Sequence, residues 1–227
     1  MAKKNKDIKD LKKKEEEPIE KEFESDKIIE KKHKPKTILE FTNQEDKLKE
    51  KSKKEKIKTV FAEERIITEN SDAARELYNQ SRFGTITDDA KVQLSLIEAC
   101  YLFEKGRIEI LDKNKSLGFE EFVRKAKKLE PNFWIRYCVF KDIRNRGYII
   151  KTALKFGADF RVYDRGVKPG EDHARWIIYP VHEGSVLTWY EFSAKNRVAH
   201  STKKRLMIGI VDDENDVTYY EVRWLRP

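Results

Sequence analysis

The first 58 residues contain no arginine, glycine, tyrosine or tryptophan, four residue types that occur repeatedly in the rest of the chain. They carry instead 20 lysines and 15 acidic residues. A segment so poor in aromatic side chains cannot bury enough apolar surface to offset the entropy lost on folding. We therefore predict that residues 1–58 form a disordered extension. Two roles are open for this extension. In one its charges serve solubility alone, and in the other they attract nucleic acid or other partners through salt-sensitive electrostatics.

The chain is also poor in cysteine and has no long apolar run. Cys100 and Cys138 both lie in apolar stretches, which favours buried free thiols over a disulfide. No segment approaches the roughly 20 apolar residues that a membrane-spanning helix needs, and the N-terminus lacks an apolar signal-peptide core. We expect a cytoplasmic protein with no membrane attachment. Its formal charge of +8 favours negatively charged partners.

Residues 59–131 have the pattern of a small α/β module. Short apolar runs at 60–61 and 64–67 predict strands, and apolar residues at helical spacing predict helices over 93–106 and 119–129. Pro131 then marks a boundary. We predict an N-terminal α/β domain that ends there.

Residues 132–227 predict helices followed by strands. The spacing indicates a helix over 132–145 and a second one over 148–156. Five apolar runs predict strands over 160–163, 176–181, 187–192, 206–211 and 217–224. The order predicts an α+β fold: the small N-terminal module plus a C-terminal domain with a mixed sheet and flanking helices.

Three residues with useful chemistry lie at the end of an apolar strand or beside one: Tyr163, His173 and Lys204. Metal-free RNA cleavage needs a base for the 2′-hydroxyl, an acid for the leaving oxygen and a positive charge beside the phosphorane. A histidine suits the acid at neutral pH, whereas a tyrosine is a poor base at its reference pKa of about 10. His182 and His200 compete for the imidazole role, and spacing alone does not choose among the three histidines.

Four segments of the C-terminal half carry a family resemblance: FGADFRVYDRG, EDHARWIIYPVHE, NRVAHSTKKRLMIGIVDD and VTYYEVRW. Together with upstream segments such as LIEACYLFEKGRIEI, they resemble the archaeal tRNA-intron (splicing) endonucleases over roughly residues 62–227. The resemblance implies that Tyr163 is the general base, His173 the general acid and Lys204 the residue that stabilises the phosphorane. Lys203 is the alternative if the alignment slips by one residue.

The same resemblance implies a substrate and a reaction, so the C-terminal domain is expected to be a nuclease domain. The substrate is precursor tRNA, cut at the bulge-helix-bulge of its exon–intron junctions. The reaction leaves a 2′,3′-cyclic phosphate and a 5′-hydroxyl, and it uses neither a metal ion nor another cofactor. Because the substrate has two bulges and this chain one catalytic unit, we expect a homotetramer.

Further residues acquire roles from the resemblance. Arg197 and Arg223 match a pair of arginines that hold a flipped bulge base between them, with Arg226 as the alternative to Arg223. Guanidinium planes stack on unpaired bases without selecting a particular base. The acidic turn would insert into a basic pocket of a neighbouring subunit, and its interface residues are Asp212, Asp213, Glu214 and Asp216. The last strand would form a dimer interface.

Two rival functions remain at this point. A metal-dependent nuclease would draw on Glu191, Lys195 and the acids at 171, 172 and 183, although these lack tight ligand spacing. A non-catalytic structural or RNA-binding subunit would keep the fold without the reaction. Survival of cleavage in a chelator tests the first, and activity of the chain alone tests the second.

Overall fold

A computed structural model of the chain describes residues 56–153 and 157–225, which belong to one compact unit. Apart from residues 56–58, the predicted N-terminal extension lies outside the described residues. The first strand, β1 (Ile57–Ala62), already includes Ile57 and Lys58, which the sequence analysis placed in the extension.

A six-stranded mixed sheet forms the N-terminal module, in the order β3-β4-β2-β1-β5-β6. The strands that follow β1 in the chain are β2 (Arg65–Thr68), β3 (Thr85–Ile86), β4 (Val92–Ser95), β5 (Ile108–Asp112) and β6 (Lys115–Ser116). β1 pairs antiparallel with β2 and parallel with β5. Buried residues alternate with more exposed ones along β1, β2 and β4, as expected for strands that bury one face.

Three helices complete this module: α1 (Asp72–Asn79), α2 (Leu96–Glu104) and α3 (Phe119–Leu129). The prediction for α3 is confirmed. The predicted helix over 93–106 starts too early, because Ser95 and Glu98 form a capping box that begins α2 at Leu96. Residues before that cap belong to β4.

The C-terminal module packs α4 (Phe133–Asn145) against a five-stranded sheet of order β11-β10-β9-β8-β7. Its strands are β7 (Ile149–Thr152), β8 (Phe160–Tyr163), β9 (Trp176–His182), β10 (Arg205–Val211) and β11 (Val217–Val222). β9 and β10 are parallel, and the other pairs are antiparallel. The predicted α+β class is therefore confirmed.

Two predicted elements of this module are wrong. Residues 149–152 form β7 rather than part of a helix, because β-branched Ile149, Ile150 and Thr152 pair antiparallel with β8. The predicted strand over 187–192 is instead the start of a helix, α5 (Trp189–Ser201), which connects β9 to β10. β9 and β10 run parallel, so the chain needs this crossover helix rather than a tight turn between them.

The two modules share one hydrophobic core. Fully buried Ile66, Leu94 and Phe122 of the first module belong to the same cluster as Phe140 and Phe160 of the second. A buried ion pair adds a polar link, since Nζ of Lys151 on β7 lies 3.0 Å from Oε1 of Glu98 on α2. Side chains of both modules therefore fix the strands that carry the candidate site.

Both cysteines are buried free thiols, as predicted. Burial raises the pKa of Cys100 to about 12 and that of Cys138 to about 11. Neither is therefore a thiolate at neutral pH. Within the described residues, no helix is long and apolar enough to cross a membrane.

Candidate active site

Tyr163 is the last residue of β8, which lies between β9 and the edge strand β7. It is opposite Ile149 of β7 and is 4% exposed. Because side chains alternate along a strand, Tyr163 shares a face of the sheet with Arg161, while Phe160 and Val162 point into the core. The guanidinium carbon of Arg161 lies 5.9 Å from the centre of the Tyr163 ring.

The turn after β8 carries His173. Gly166 and Gly170 have φ angles of +82° and +98°, which side chains rarely tolerate, so these glycines let the chain reverse twice within a short segment. Immediately before His173, the Asp172 carboxylate accepts a hydrogen bond of 2.6 Å from the His173 backbone N–H. The imidazole itself is exposed to solvent.

An ion pair joins the two ends of this turn. Nη1 of Arg175 lies 3.0 Å from Oδ1 of Asp164, the residue after Tyr163. The Arg175 backbone N–H also donates to the carbonyl of Val162, and its carbonyl accepts from the N–H of Arg205. Tyr163 and His173 are thus anchored to one stretch of sheet by their sequence neighbours.

Lys204 lies where α5 passes into β10. The N–H of Lys203 donates to the His200 carbonyl and that of Lys204 to the Ala199 carbonyl, which is the hydrogen-bond pattern of a Schellman motif. Lys203 has the left-handed φ of +54° that this motif requires. The Lys204 ammonium donates to the carbonyl of Thr202 at 3.0 Å.

Tyr163, His173 and Lys204 line one open cavity of about 350 Å³. The structure therefore brings together the three residues predicted as the catalytic set. The other lining residues are Arg161, Gly170, Glu171, Asp172 and Ala174. A phenol, an imidazole and an ammonium around one cavity can accept a proton, donate a proton and stabilise negative charge.

The competing histidines lie elsewhere. Nε2 of His182 is 3.1 Å from Oδ1 of Asp213, while its Nδ1 accepts from the Gly184 N–H. The ring of His200 lies against Trp224, with 4.2 Å between their centres. Neither histidine lines the cavity that holds Tyr163 and Lys204.

The two arginines predicted to hold a base are both exposed, and one of them lines a neighbouring cavity. Arg223, His200, Trp224 and Lys204 are among the lining residues of this cavity of about 240 Å³, whereas Arg197 of α5 is not. Nε of Arg223 is bonded to Glu221 at 2.8 Å. Arg226, the alternative, lies outside the described residues.

Glu221 connects this cavity to the sheet. Hydrogen bonds from Trp176 and Arg223, together with the charge of Arg205, lower the pKa of Glu221 to about 2, although partial desolvation opposes the shift. A carboxylate so stabilised stays ionised at any ordinary pH. It therefore joins Arg223, just after β11, to Arg205 at the start of β10.

The predicted acidic turn joins β10 to β11 and is fixed by its own backbone. The Asp216 N–H donates to the Asp212 carboxylate at 2.8 Å, and Asn215 adopts a φ of +71° at the tip. The side-chain oxygen of Asn215 accepts from the indole N–H of Trp134 at 2.5 Å. The carboxylates of Asp213 and Glu214 belong to exposed residues.

Three of the acids proposed for a rival metal site, Glu171, Asp172 and Glu191, accept hydrogen bonds from their own turns. Glu191 caps α5, where its carboxylate accepts from the N–H and hydroxyl of Thr188. These hydrogen bonds lower the pKa of Glu191. In the described ranges, histidine, cysteine and acidic side chains form no group of three or more that could hold a metal ion.

Arg161 also lines this cavity, although it was not among the predicted site residues. The signal was available, because Arg161 precedes Tyr163 by two positions on a strand and must share its face. Nothing in the sequence, however, distinguishes an arginine that contacts a cavity from one that contacts solvent.

Comparisons with known proteins match nearly all of the described chain. The family model for the tRNA intron endonuclease N-terminal domain matches residues 57–123, and that for the catalytic C-terminal domain matches residues 133–219. A tRNA-splicing endonuclease of Thermococcus onnurineus is 42% identical over 173 residues, which cover 76% of this chain and 99% of the relative. That of Nanoarchaeum equitans is 47% identical over 141 residues, covering 60% and 90%, respectively. That of Methanothermobacter thermautotrophicus is 37% identical over 172 residues, covering 76% and 99%.

Proposed function

Because the chain belongs to the tRNA intron endonuclease family, we propose that it excises introns from precursor tRNA by cutting at bulge-helix-bulge junctions. Family membership supports intron excision. The observation that carries the proposal is the cavity lined jointly by Tyr163, His173 and Lys204, which are far apart in the sequence.

The proposed reaction is a metal-independent transesterification. Tyr163 takes the proton of the 2′-hydroxyl, whose oxygen attacks the adjacent phosphorus. The bond between phosphorus and the 5′-oxygen breaks, and His173 gives that oxygen a proton. Lys204 stabilises the negative charge of the phosphorane between these steps. The products are a 2′,3′-cyclic phosphate and a 5′-hydroxyl, so atoms and protons balance without a cofactor.

The environment of each group supports its role. Tyr163 is held with 4% of its surface exposed at the end of β8, which fixes the position of its hydroxyl beside the cavity. His173 is exposed on a turn, where a leaving group that departs towards solvent can reach it. Lys204 borders both the cavity of Tyr163 and the cavity of Arg223.

We assign RNA binding to Arg197 and Arg223, which would hold a flipped bulge base between their guanidinium planes. Arg223 already borders a cavity that Lys204 shares, so a base held there would be close to the reacting phosphate. In this proposal Arg223 leaves Glu221, its partner in the free protein. The exchange is feasible because Arg205 and Trp176 remain bonded to Glu221.

The proposed assembly is a homotetramer. Exposed Asp213 and Glu214 of the acidic turn would insert into a basic pocket of a neighbouring subunit, with Asp212 and Asp216 holding the turn in shape. The edge strand β11 would pair across a two-fold axis, which removes an open sheet edge.

Cleavage of a labelled bulge-helix-bulge RNA in EDTA tests this function. We expect the purified chain to cut in the presence of the chelator and leave 2′,3′-cyclic phosphate ends. His173→Ala should slow the reaction by about 10²–10⁴-fold, the usual contribution of a general acid. His182→Ala serves as the matched control, because it removes an imidazole that lines neither the cavity of Tyr163 nor that of Arg223.

The outcomes separate the rival functions. Activity that needs a divalent ion would identify a metal-dependent nuclease instead. A chain that binds the RNA and never cuts it would be a non-catalytic subunit. Full activity of the His173 variant beside an inactive His182 or His200 variant would assign the acid to a different residue.

A further inference from the structure

Arg161 is a cation on the wall of the candidate active site for which the proposed reaction has no role. It lies two residues before Tyr163 on β8, on the same face of the sheet. Its side chain lines the cavity of Tyr163, His173 and Lys204, and it also lines the larger cleft between the two modules. Arg161 therefore lies between the candidate active-site cavity and this cleft.

No carboxylate neutralises Arg161 within residues 56–153 and 157–225. Its Nε is buried, and none of those residues accepts a hydrogen bond from it. Nearby arginines differ, since Arg175 is paired with Asp164, and Arg205 with Glu221. A buried donor of a charged group without an acceptor is costly, and a ligand in the cavity would supply one.

The neighbour of Arg161 on β7 is a second cation, which does not neutralise Arg161. Arg161 is directly opposite Lys151 of β7, and like charges at such positions repel each other. Lys151 is neutralised by Glu98 and also donates to the carbonyl of Gly84. The excess charge is therefore on Arg161, on the side that faces Tyr163.

An anion that enters the cavity also meets two carboxylates at its rim. Glu171 and Asp172 line the cavity, and each accepts a hydrogen bond from the backbone of its own turn. These charges oppose a phosphate, and the ammonium of Lys204 is partly engaged by the carbonyl of Thr202. A second cation is needed to make the cavity attractive to a phosphate group.

We propose that Arg161 binds a phosphate group in this cavity, at or next to the phosphate that Tyr163, His173 and Lys204 act on. The identification of that phosphate as part of an RNA backbone rests on the proposed function. A guanidinium suits this role because its planar donors can bind two phosphate oxygens at once. The phosphate would thereby supply Nε of Arg161 with the acceptor that it lacks in the free protein.

Titration of the full chain with inorganic phosphate tests the proposal without using activity. The binding signal is the shift of the His173 imidazole resonances, followed by nuclear magnetic resonance after ¹⁵N labelling of histidine. Arg161→Gln should weaken phosphate binding by about tenfold or more, the equivalent of a lost hydrogen bond to a charged group. Arg161→Lys should lose less phosphate affinity, because lysine keeps the positive charge and lacks only the paired donors of the guanidinium.

Arg165→Gln is the matched control. Arg165 is exposed two residues after Tyr163, and its guanidinium lies over the ring of Tyr148 without lining the cavity. This variant removes the same charge and should bind phosphate as the wild type does. If Arg161→Gln does not fold, judged by its thermal transition, the comparison of Arg161→Lys with Arg165→Lys decides.

Phosphate binding that is unaffected by Arg161→Gln would overturn the proposal, as would a wild type without a saturable response. If the wild type cleaves RNA in that case, the proposed function stands and only the role of Arg161 fails. Arg161-dependent phosphate binding by a chain that does not cleave RNA would support the role of Arg161 and reject the proposed function. A change in assembly mass by light scattering, with phosphate affinity unchanged, would assign Arg161 to an acidic partner surface and also overturn the proposal.

Discussion

Lys203 and Lys204 are adjacent and chemically identical, and the backbone gives them different tasks. Lys203 occupies the left-handed position that ends α5, where glycine is the usual residue. Lys204 follows it and borders the cavity. The backbone conformation thus distinguishes the two lysines, which the sequence resemblance alone left open.

Replacement of each lysine should separate stability from activity. Lys203→Gly should stabilise the protein by about 1 kcal/mol, since glycine avoids the steric cost of a left-handed φ, and should leave cleavage unchanged. Lys204→Ala should abolish most cleavage with little effect on unfolding. Urea denaturation and single-turnover cleavage measure the two effects, and loss of cleavage in the glycine variant would move the catalytic role to Lys203.

For single residues, the sequence predicts which side chains form the candidate site better than it predicts the charges around them. Tyr163, His173 and Lys204 could be found because their motifs resemble a family, and the structure brings them to one cavity. The unneutralised charge of Arg161 could not be predicted, because it depends on where every nearby carboxylate lies in three dimensions.

At the scale of elements, α5 shows how a local signal was overlooked. The stretch before Lys195 is rich in leucine, tyrosine, tryptophan and phenylalanine, which favour strands. Thr188 and Glu191, however, form the T-x-x-E capping box, and both of its reciprocal hydrogen bonds are present. The cap fixes where the helix begins, since the residues of its first turn pack little: Trp189 and Tyr190 are 82% and 78% exposed.

Removal of that cap should destabilise α5. Thr188→Ala leaves an N-terminal N–H of the helix without its acceptor, and we expect a loss of about 1 kcal/mol in the free energy of unfolding. Thr188→Ser keeps the hydroxyl and should stay close to the wild type. Chemical denaturation measures both, and equal stabilities for the alanine and serine variants would show that the cap contributes nothing.

The error at β7 has another origin. The run YIIKTALKF fits helical spacing and strand propensity about equally well, so periodicity alone does not decide. Pairing with β8 and the bond from Lys151 to Glu98 favour the strand. Both partners are distant in the chain, and local sequence does not reveal them.

At the scale of the whole molecule, Glu98 connects the two modules. Its carboxylate accepts hydrogen bonds from Gly84, Ser95 and Lys151. Burial would raise the pKa of Glu98, but the charge of Lys151 and these hydrogen bonds outweigh it and hold that pKa below the ordinary 4.5. Burial lowers the pKa of Lys151, and the charge of Glu98 opposes this shift.

Glu98→Gln should therefore cost roughly 3–5 kcal/mol at neutral pH, because it leaves the Lys151 ammonium buried without a counter-charge. The pKa of Glu98 is lower in the folded protein than its ordinary value of 4.5. The contribution of this carboxylate to the free energy of unfolding is therefore present above about pH 4.5 and is lost as the pH falls through the folded pKa. The stability gap between wild type and variant should thus narrow on acidification, as urea denaturation at several pH values would measure.

A double variant provides the control for that experiment. Glu98→Gln combined with Lys151→Met removes both charges, and it should recover much of the loss because no unpaired ion remains. Two results would show that the ion pair does not stabilise the contact between the modules. One is a difference in unfolding free energy between wild type and Glu98→Gln that stays constant below pH 4.5. The other is a double variant no more stable than Glu98→Gln alone.

The bond between Trp134 and Asn215 gives the protein an optical reporter. The indole of α4 donates to the tip of the acidic turn, and Nζ of Lys127 lies 5.1 Å from the centre of the same ring. Indole emission shifts with the polarity and the hydrogen bonding around the ring. Intrinsic fluorescence from a variant that keeps only this tryptophan would therefore follow the acidic turn in real time, without an attached dye.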